Sequence, residues 1–209
     1  MDYSNPALYW KERYAKEGAL ACARRGMDEA ASGRQADAFW AAIGPRIPEG
    51  SRLLDFGCGP GRLFLALDYH GLLEFEYVGV DACEEAVRLA REARARFGAH
   101  VHRPHFAHLA GDSIPFPDGY FDAVVACTVV QHLPDEGLAL WMPEMRRVLR
   151  PGGRCIILDG NGCRASHAKS RTPEEIGAAL GMEMDGPAEQ VSAEAKASHF
   201  VASFLRGCG

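Results

Sequence analysis

The sequence predicts an α/β fold: a mostly parallel sheet with helices on both faces. Three observations lead there. Between about residues 50 and 160, apolar runs of strand length alternate with longer stretches of helical periodicity. The first run breaks into a glycine-rich turn, Asp55-Phe56-Gly57-Cys58-Gly59-Pro60-Gly61, and a helical pattern follows at once. The second run, Val78-Gly79-Val80, ends on the acid Asp81, 26 residues beyond Asp55 and so within one βαβ unit. Right-handed crossovers bring the C-terminal ends of all parallel strands to one edge, and ligands bind there, where strand order reverses. A chain of 209 residues can build one such domain with a sizeable core. We read residues 1–209 as a single domain, with 1–48 a helical cap and 49–209 the core.

Taken in order, residues 6–17 follow Asn5-Pro6 as a helix with Pro6 near its first position. Its face carries Leu8, Tyr9, Trp10, Tyr14 and Ala15. Residues 18–32 are small and polar without a period. A second helix over 33–44 spaces Ala36, Phe39, Trp40 and Ile43 along one face, and Pro45 and Pro48 end it. Strand one is 51–56, with a helix over 61–70. Strand two is 75–80, with a helix over 83–97. Strand three lies near 101–109, strand four over 121–126, and a helix over 136–149. Pro151-Gly152-Gly153 forms a turn into strand five, 154–159. Thr172-Pro173-Glu174-Glu175 reads as a capping box opening a helix that ends near Gly181. Short strands over 182–185 and 198–205 close the chain.

Composition bounds the function. Hydrophobic residues make up 47% and charged residues 24%, an ordinary globular balance. The net charge of -5 supplies no broad basic field for nucleic acid or anionic membrane. No apolar run approaches the ~20 residues of a membrane helix, and the N-terminus lacks an apolar signal region. The seven cysteines are odd in number and form no Cys-x-x-Cys, which predicts reduced thiols in a cytoplasmic protein.

The glycine turn discriminates between cofactors. A dinucleotide fingerprint would need glycine where Arg62 stands, and a P-loop would need a Gly-Lys-Ser/Thr ending. Asp55-x-Gly57-x-Gly59-x-Gly61 instead resembles motif I of the class I S-adenosylmethionine-dependent methyltransferases. Further along the chain, Asp81 stands at the tip of strand two, and Gly111-Asp112-Ser113-Ile114 follows strand three. Phe121-Asp122 enters strand four, and Met145-Arg146-Arg147-Val148-Leu149-Arg150-Pro151-Gly152-Gly153 leads to strand five. These resemble the same family in order and spacing over about residues 50–160. The resemblance implies a Rossmann-like, seven-stranded, mostly parallel sheet with an antiparallel last strand and an N-terminal helical lid.

It also implies a site. Asp55 and the backbone of Gly57, Cys58, Gly59 and Gly61 would hold the methionine part of the cofactor. Asp81 with Ala82 would take the ribose, and Asp112, Ser113 and Ile114 the adenine, with Cys83 and Ile114 on its faces. Cys127, Thr128 and Tyr14 would complete the pocket. Tyr9, Trp10 and Tyr14 would close over it. At the tip of strand four, Cys127-Thr128-Val129-Val130-Gln131-His132 lacks the Asn/Asp-Pro-Pro-Tyr/Phe of amide and base methylation. It also lacks the metal-binding acid of catechol-type enzymes, so no metal is expected beside Asp159 and Asn161. The Gln-His-Leu pattern resembles small-molecule methyltransferases of ubiquinone-biosynthesis or natural-product type. His132 is the candidate general base, its imidazole able to take a proton near neutral pH. Rival readings are a non-catalytic cofactor-binding module or partner subunit, an NAD-dependent dehydrogenase and an RNA methyltransferase. No motif in the sequence specifies the acceptor or the oligomeric state.

Overall fold

The computed structural model describes residues 6–17, 44–69, 75–97, 104–161, 171–186, 189–192 and 199–206. Its elements in order are α1 (Pro6–Glu17), β1 (Arg52–Phe56), α2 (Arg62–Tyr69), β2 (Glu76–Asp81), α3 (Glu84–Phe97), β3 (His105–His108), β4 (Phe121–Cys127), α4 (Asp135–Val148), β5 (Leu149–Asn161), α5 (Pro173–Leu180), β6 (Glu183–Met184), β7 (Glu189–Ser192) and β8 (His199–Arg206). Short 3₁₀ turns stand at Gly44–Arg46 and Val130–His132. The helix expected over 33–44 lies almost wholly outside the described residues.

Five strands form a parallel sheet in the order β3-β2-β1-β4-β5. The order reverses beside β1, where β4 becomes its second neighbour, so the crevice opens at the glycine turn. β8 runs antiparallel to β5, and both β6 and β7 pair with β8. Among the described residues the sheet therefore has eight strands, where seven are expected. The extra strand is β7, in a polar stretch whose pairing depends on a tertiary partner and leaves no local signature.

Alternation along each strand sorts the core into two layers. Leu53, Ala123, Val125 and Ile156 face α2 and α3, with Phe64, Tyr77 and Phe106 filling that side. Leu54, Val124, Ala126 and Ile157 face α4 and α5, against Met142, Met145, Ile176 and Leu180. A sheet buried on both faces accounts for strands that read as continuous apolar runs. The Pro151-Gly152-Gly153 turn needs correction: these residues lie inside β5, which begins at Leu149. The ladder accommodates them by a register shift between Phe121 and Ala123 of β4, with Gly152 at φ 69°. The capping box at Thr172 forms as expected, with Glu175 N–H donating to the Thr172 hydroxyl at 3.2 Å and Thr172 N–H to the Glu175 carboxylate at 2.7 Å. Among the described residues no helix is long and apolar enough to cross a membrane.

Candidate cofactor and acceptor site

The tips of β1, β2 and β4 meet at one edge of the sheet. The amides of Gly57 and Cys58 both donate to the Val80 carbonyl, at 2.8 and 3.0 Å, which ties the glycine turn to the end of β2. Gly57, Gly59 and Gly61 all have positive φ, at 73°, 53° and 87°, a conformation glycine adopts without steric cost. Asp81 stands directly beside the turn. Its Oδ2 accepts from Gly59 N–H at 2.9 Å and its Oδ1 from Cys83 N–H at 2.8 Å. Both oxygens are thereby fixed in orientation, and each keeps a further lone pair for a ligand. Burial raises the Asp81 pKa, and the two amides and nearby His108 work against that rise.

α1 lies across this edge. The Tyr14 hydroxyl is 3.3 Å from where a Cβ on Gly59 would stand. One turn earlier, the Trp10 ring meets the His132 ring edge-on at 5.4 Å. Trp10 also packs against Tyr9 and Tyr14, and Arg13 sits over its face at 5.1 Å. The aromatic spacing that marked residues 6–17 thus puts Tyr14 over the β1 turn and Trp10 over the β4 turn.

The β4 turn carries backbone strain. Thr128 has φ 58°, a left-handed conformation that β-branched residues rarely adopt. Its N–H donates to Leu158 O at 2.6 Å. The backbone amides of Val129 and Gln131 lie close enough to the Asp159 carboxylate at the end of β5 to favour its charge, while Asp159 Oδ1 is buried without a hydrogen-bond partner among the described residues. Burial dominates at Asp159 and pushes its pKa up to about 7, while those two amides and Arg171 pull it down. Arg171 in turn donates to the Leu133 carbonyl at 2.7 Å. The turn so held presents His132, whose Nε2 lies 3.1 Å from the Gln131 side-chain amide.

The other residues expected at the site differ in how deeply they are buried. Asp55 is only 2% exposed and accepts a 2.5 Å hydrogen bond from the Tyr77 hydroxyl within the core. Burial pushes its pKa up to about 7, with the Tyr77 bond opposing and the charge of Asp81 reinforcing the rise. Cys58 is buried, its side chain against Gly79 of β2, so only its backbone belongs to the turn. Ile114 and Cys83 are buried too. The Ile114 side chain packs in the α4 layer, and its amide and carbonyl are already bonded to Glu144 and Arg147. Cys127 is half-buried and packs on the core, while the Ala82 carbonyl pairs with His108 at 3.1 Å. Asp112 and Ser113 are exposed beside Gly111, whose Cβ position has open space around it.

Tyr77 and Val129 also shape the site, through contacts with Asp55 and Gly57, and no motif singles them out. For Tyr77 the signal is strand alternation, which sends it inward on the same face as Gly79. Among the described residues no group of three or more His, Cys, Asp or Glu is placed to hold a metal.

Comparison with known proteins places this geometry. Residues 54–157, about half of the chain, match the methyltransferase-domain family. An uncharacterized methyltransferase of Mycobacterium sp. (strain KMS) is 35% identical over 121 residues, covering 57% of this chain and 42% of the relative. A ubiquinone/menaquinone biosynthesis C-methyltransferase of Geobacter sulfurreducens is 35% identical over 114 residues, covering 54% and 43%. The matched stretch thus spans less than half the length of either relative. The crystal structure of a SAM-dependent methyltransferase from Aquifex aeolicus superposes with a TM-score of 0.66 at 20% identity, over 81% of this chain and 89% of that one, and so shares the fold. The chain belongs to the class I S-adenosylmethionine-dependent methyltransferases.

The family's cofactor is S-adenosylmethionine, and the residues present suit it. Gly59 leaves room between its backbone and Tyr14, Gly111 leaves open space, and Asp81 is pinned with acceptor capacity to spare.

Proposed function

We propose that this chain moves a methyl group from S-adenosylmethionine to an O, N or C atom of a small molecule seated between α1 and the β4 turn. The observation that carries this reading is Asp81, whose two oxygens are fixed by the Gly59 and Cys83 amides directly beneath α1. A carboxylate so oriented suits the paired hydroxyls of a ribose. The backbone of the Gly57–Gly61 turn would face the methionine portion. Asp112 and Ser113 would meet the polar edge of the adenine. Asp55, behind the turn, would act on the cofactor through the field of its charge, since its hydrogen bond goes to Tyr77.

When bound, the cofactor supplies a methyl group already activated on a sulfonium. What remains for the protein is alignment and the exclusion of water, and positioning of this kind supplies up to ~7–11 kcal/mol in favourable cases. α1 serves as the lid in this reading: Tyr14 covers the cofactor side, and Trp10 with His132 covers the acceptor side. His132 would accept the proton of an acceptor hydroxyl, a contribution of about 10²–10⁴-fold. The Geobacter relative, named for C-methylation in quinone biosynthesis, supports a small-molecule acceptor. So does the net charge of -5, which does not favour nucleic acid. Residues 1–48 form the cap and 49–209 the core of one cytoplasmic domain in this account.

Calorimetric titration with S-adenosylhomocysteine, followed by methyl transfer from labelled cofactor to a panel of phenols, quinols and amines, tests it. Binding with transfer to at least one acceptor is expected. Tight binding with no transfer to any acceptor would leave a cofactor-binding module, and no binding would remove the reading altogether.

A further inference from the structure

We infer that Arg147 and Glu144 of α4 are positioning residues for cofactor binding, because they set the backbone of the loop that carries Asp112 and Ser113. The inference rests on the cofactor reading above and extends it to residues that no part of that site includes. All five N–H donors of Arg147 are used. Nε and one Nη2 proton go to the two oxygens of Glu144, at 2.7 and 2.8 Å. The second Nη2 proton goes to Ile114 O at 2.9 Å, and the Nη1 protons go to Phe116 O at 2.9 Å and Asp118 at 2.7 Å. Glu144 closes the circuit by accepting from Ile114 N–H at 2.8 Å. The Arg147 carbonyl takes the Gly119 amide at 2.9 Å.

The pattern is directed at a loop, not at helix packing. α4 is already held to the sheet by Met142, Met145 and Val148, all buried. The charged pair reaches instead to the amide and carbonyl of Ile114 and the carbonyl of Phe116, in a segment without secondary structure of its own. That segment is anchored at its start, where Leu109 N–H donates to Asp81 O at 2.9 Å, and at Ile114, whose side chain is 1% exposed. Residues 110–113 span the gap between these two fixed points. One end is tied to the ribose-binding strand tip and the other to Glu144 and Arg147. Relaxing the second anchor would let Asp112 and Ser113 drift from the crevice while leaving His132 and α1 in place.

Lysine cannot replace the fork, since its ammonium has three donors on a point charge. Arg147→Lys is therefore expected to speed hydrogen exchange at Ile114 and Phe116. It should also weaken S-adenosylhomocysteine binding, and raise the KM for cofactor, by about tenfold, the loss of one charge-assisted hydrogen bond's worth of ordering. The KM for acceptor and kcat at saturating cofactor should stay near wild type. Glu144→Gln, a milder change, should shift affinity in the same direction. The double variant should be no weaker than Arg147→Lys alone, since the two residues act as a unit. Arg147→Lys or Glu144→Gln binding within about twofold of wild type, or Ile114 exchange unchanged, would overturn this inference while the proposed function stands. A wild-type protein that binds no S-adenosylhomocysteine would overturn both.

Discussion

Val129 occupies the space that a side chain on Gly57 would need: a Cβ there would lie 2.4 Å from Val129 Cγ2 and 2.8 Å from Cγ1. The first glycine of the β1 turn is therefore required by the β4 turn as well as by its own φ of 73°. Two effects should separate in urea unfolding. Gly57→Ala carries a left-handed backbone cost of about 1–2 kcal/mol plus the clash. Gly57→Ala with Val129→Ala removes the clash and keeps the backbone cost. The double variant should be more stable than Gly57→Ala alone. Equal stabilities would mean that Val129 does not reserve the space.

Asp81 offers the sharpest test of ligand geometry. Asp81→Asn preserves the shape but replaces one acceptor oxygen with a donor, which must then face the amide of Gly59 or of Cys83. Charge-assisted hydrogen bonds contribute about 1.5–3 kcal/mol each. S-adenosylhomocysteine affinity should fall by tenfold or more, about 1.4 kcal/mol, by calorimetry. Affinity equal to wild type would remove the ribose assignment.

How much of this was legible beforehand depends on whether each feature is local. The alternation of strands and helices, the glycine turn and the Thr172 capping box are written in adjacent residues, and they appear where the pattern puts them. Asp81 at a strand tip follows from spacing within one βαβ unit. Asp55 illustrates the limit. Its place in the motif is visible, yet its burial against Tyr77 depends on the β1–β2 register, in which Leu53 lies opposite Tyr77 and Asp55 opposite Gly79. The same holds for Ile114, whose backbone is claimed by Glu144 and Arg147 some thirty positions away. β7 and the β5 assignment of Pro151-Gly152-Gly153 arise from pairing between distant segments, which no window of sequence contains.

His132 makes a prediction about the acceptor side. Its ring touches Trp10, and its Nε2 lies beside the Gln131 amide. Trp10→Ala should raise the acceptor KM and leave S-adenosylhomocysteine affinity near wild type, because Trp10 meets the β4 turn and Tyr14 the β1 turn. His132→Ala should lower kcat by about 10²-fold or more on an acceptor that must lose a proton and abolish the acid limb of its pH profile. An unchanged profile would leave positioning alone as the source of rate.

Asp55 ties stability to pH, and the sign follows from its burial. Its pKa is raised from 3.8 to about 7 in the folded protein, chiefly because burial disfavours the charge. The folded state therefore holds the proton more tightly than the unfolded chain does. The stabilisation is complete below pH 4 and fades as pH rises through about 7. Asp159, raised in the same way to about 7, adds a slope of the same sign. Asp55→Asn should flatten part of this decline and raise stability at pH 8 by a few kcal/mol at most, since each pKa unit corresponds to about 1.4 kcal/mol. Tyr77→Phe should do the reverse, because it strips the donor from a buried carboxylate and costs more at pH 8 than at pH 5. Urea midpoints at the two pH values check both. The same group reports on the cofactor: an ammonium arriving nearby would favour the charged carboxylate and expel its proton. Calorimetry of S-adenosylhomocysteine binding at pH 6.5, in two buffers of different ionisation heat, should then show proton release in wild type and less in Asp55→Asn. Equal release in both proteins would make Asp55 a core residue with no part in ligand recognition.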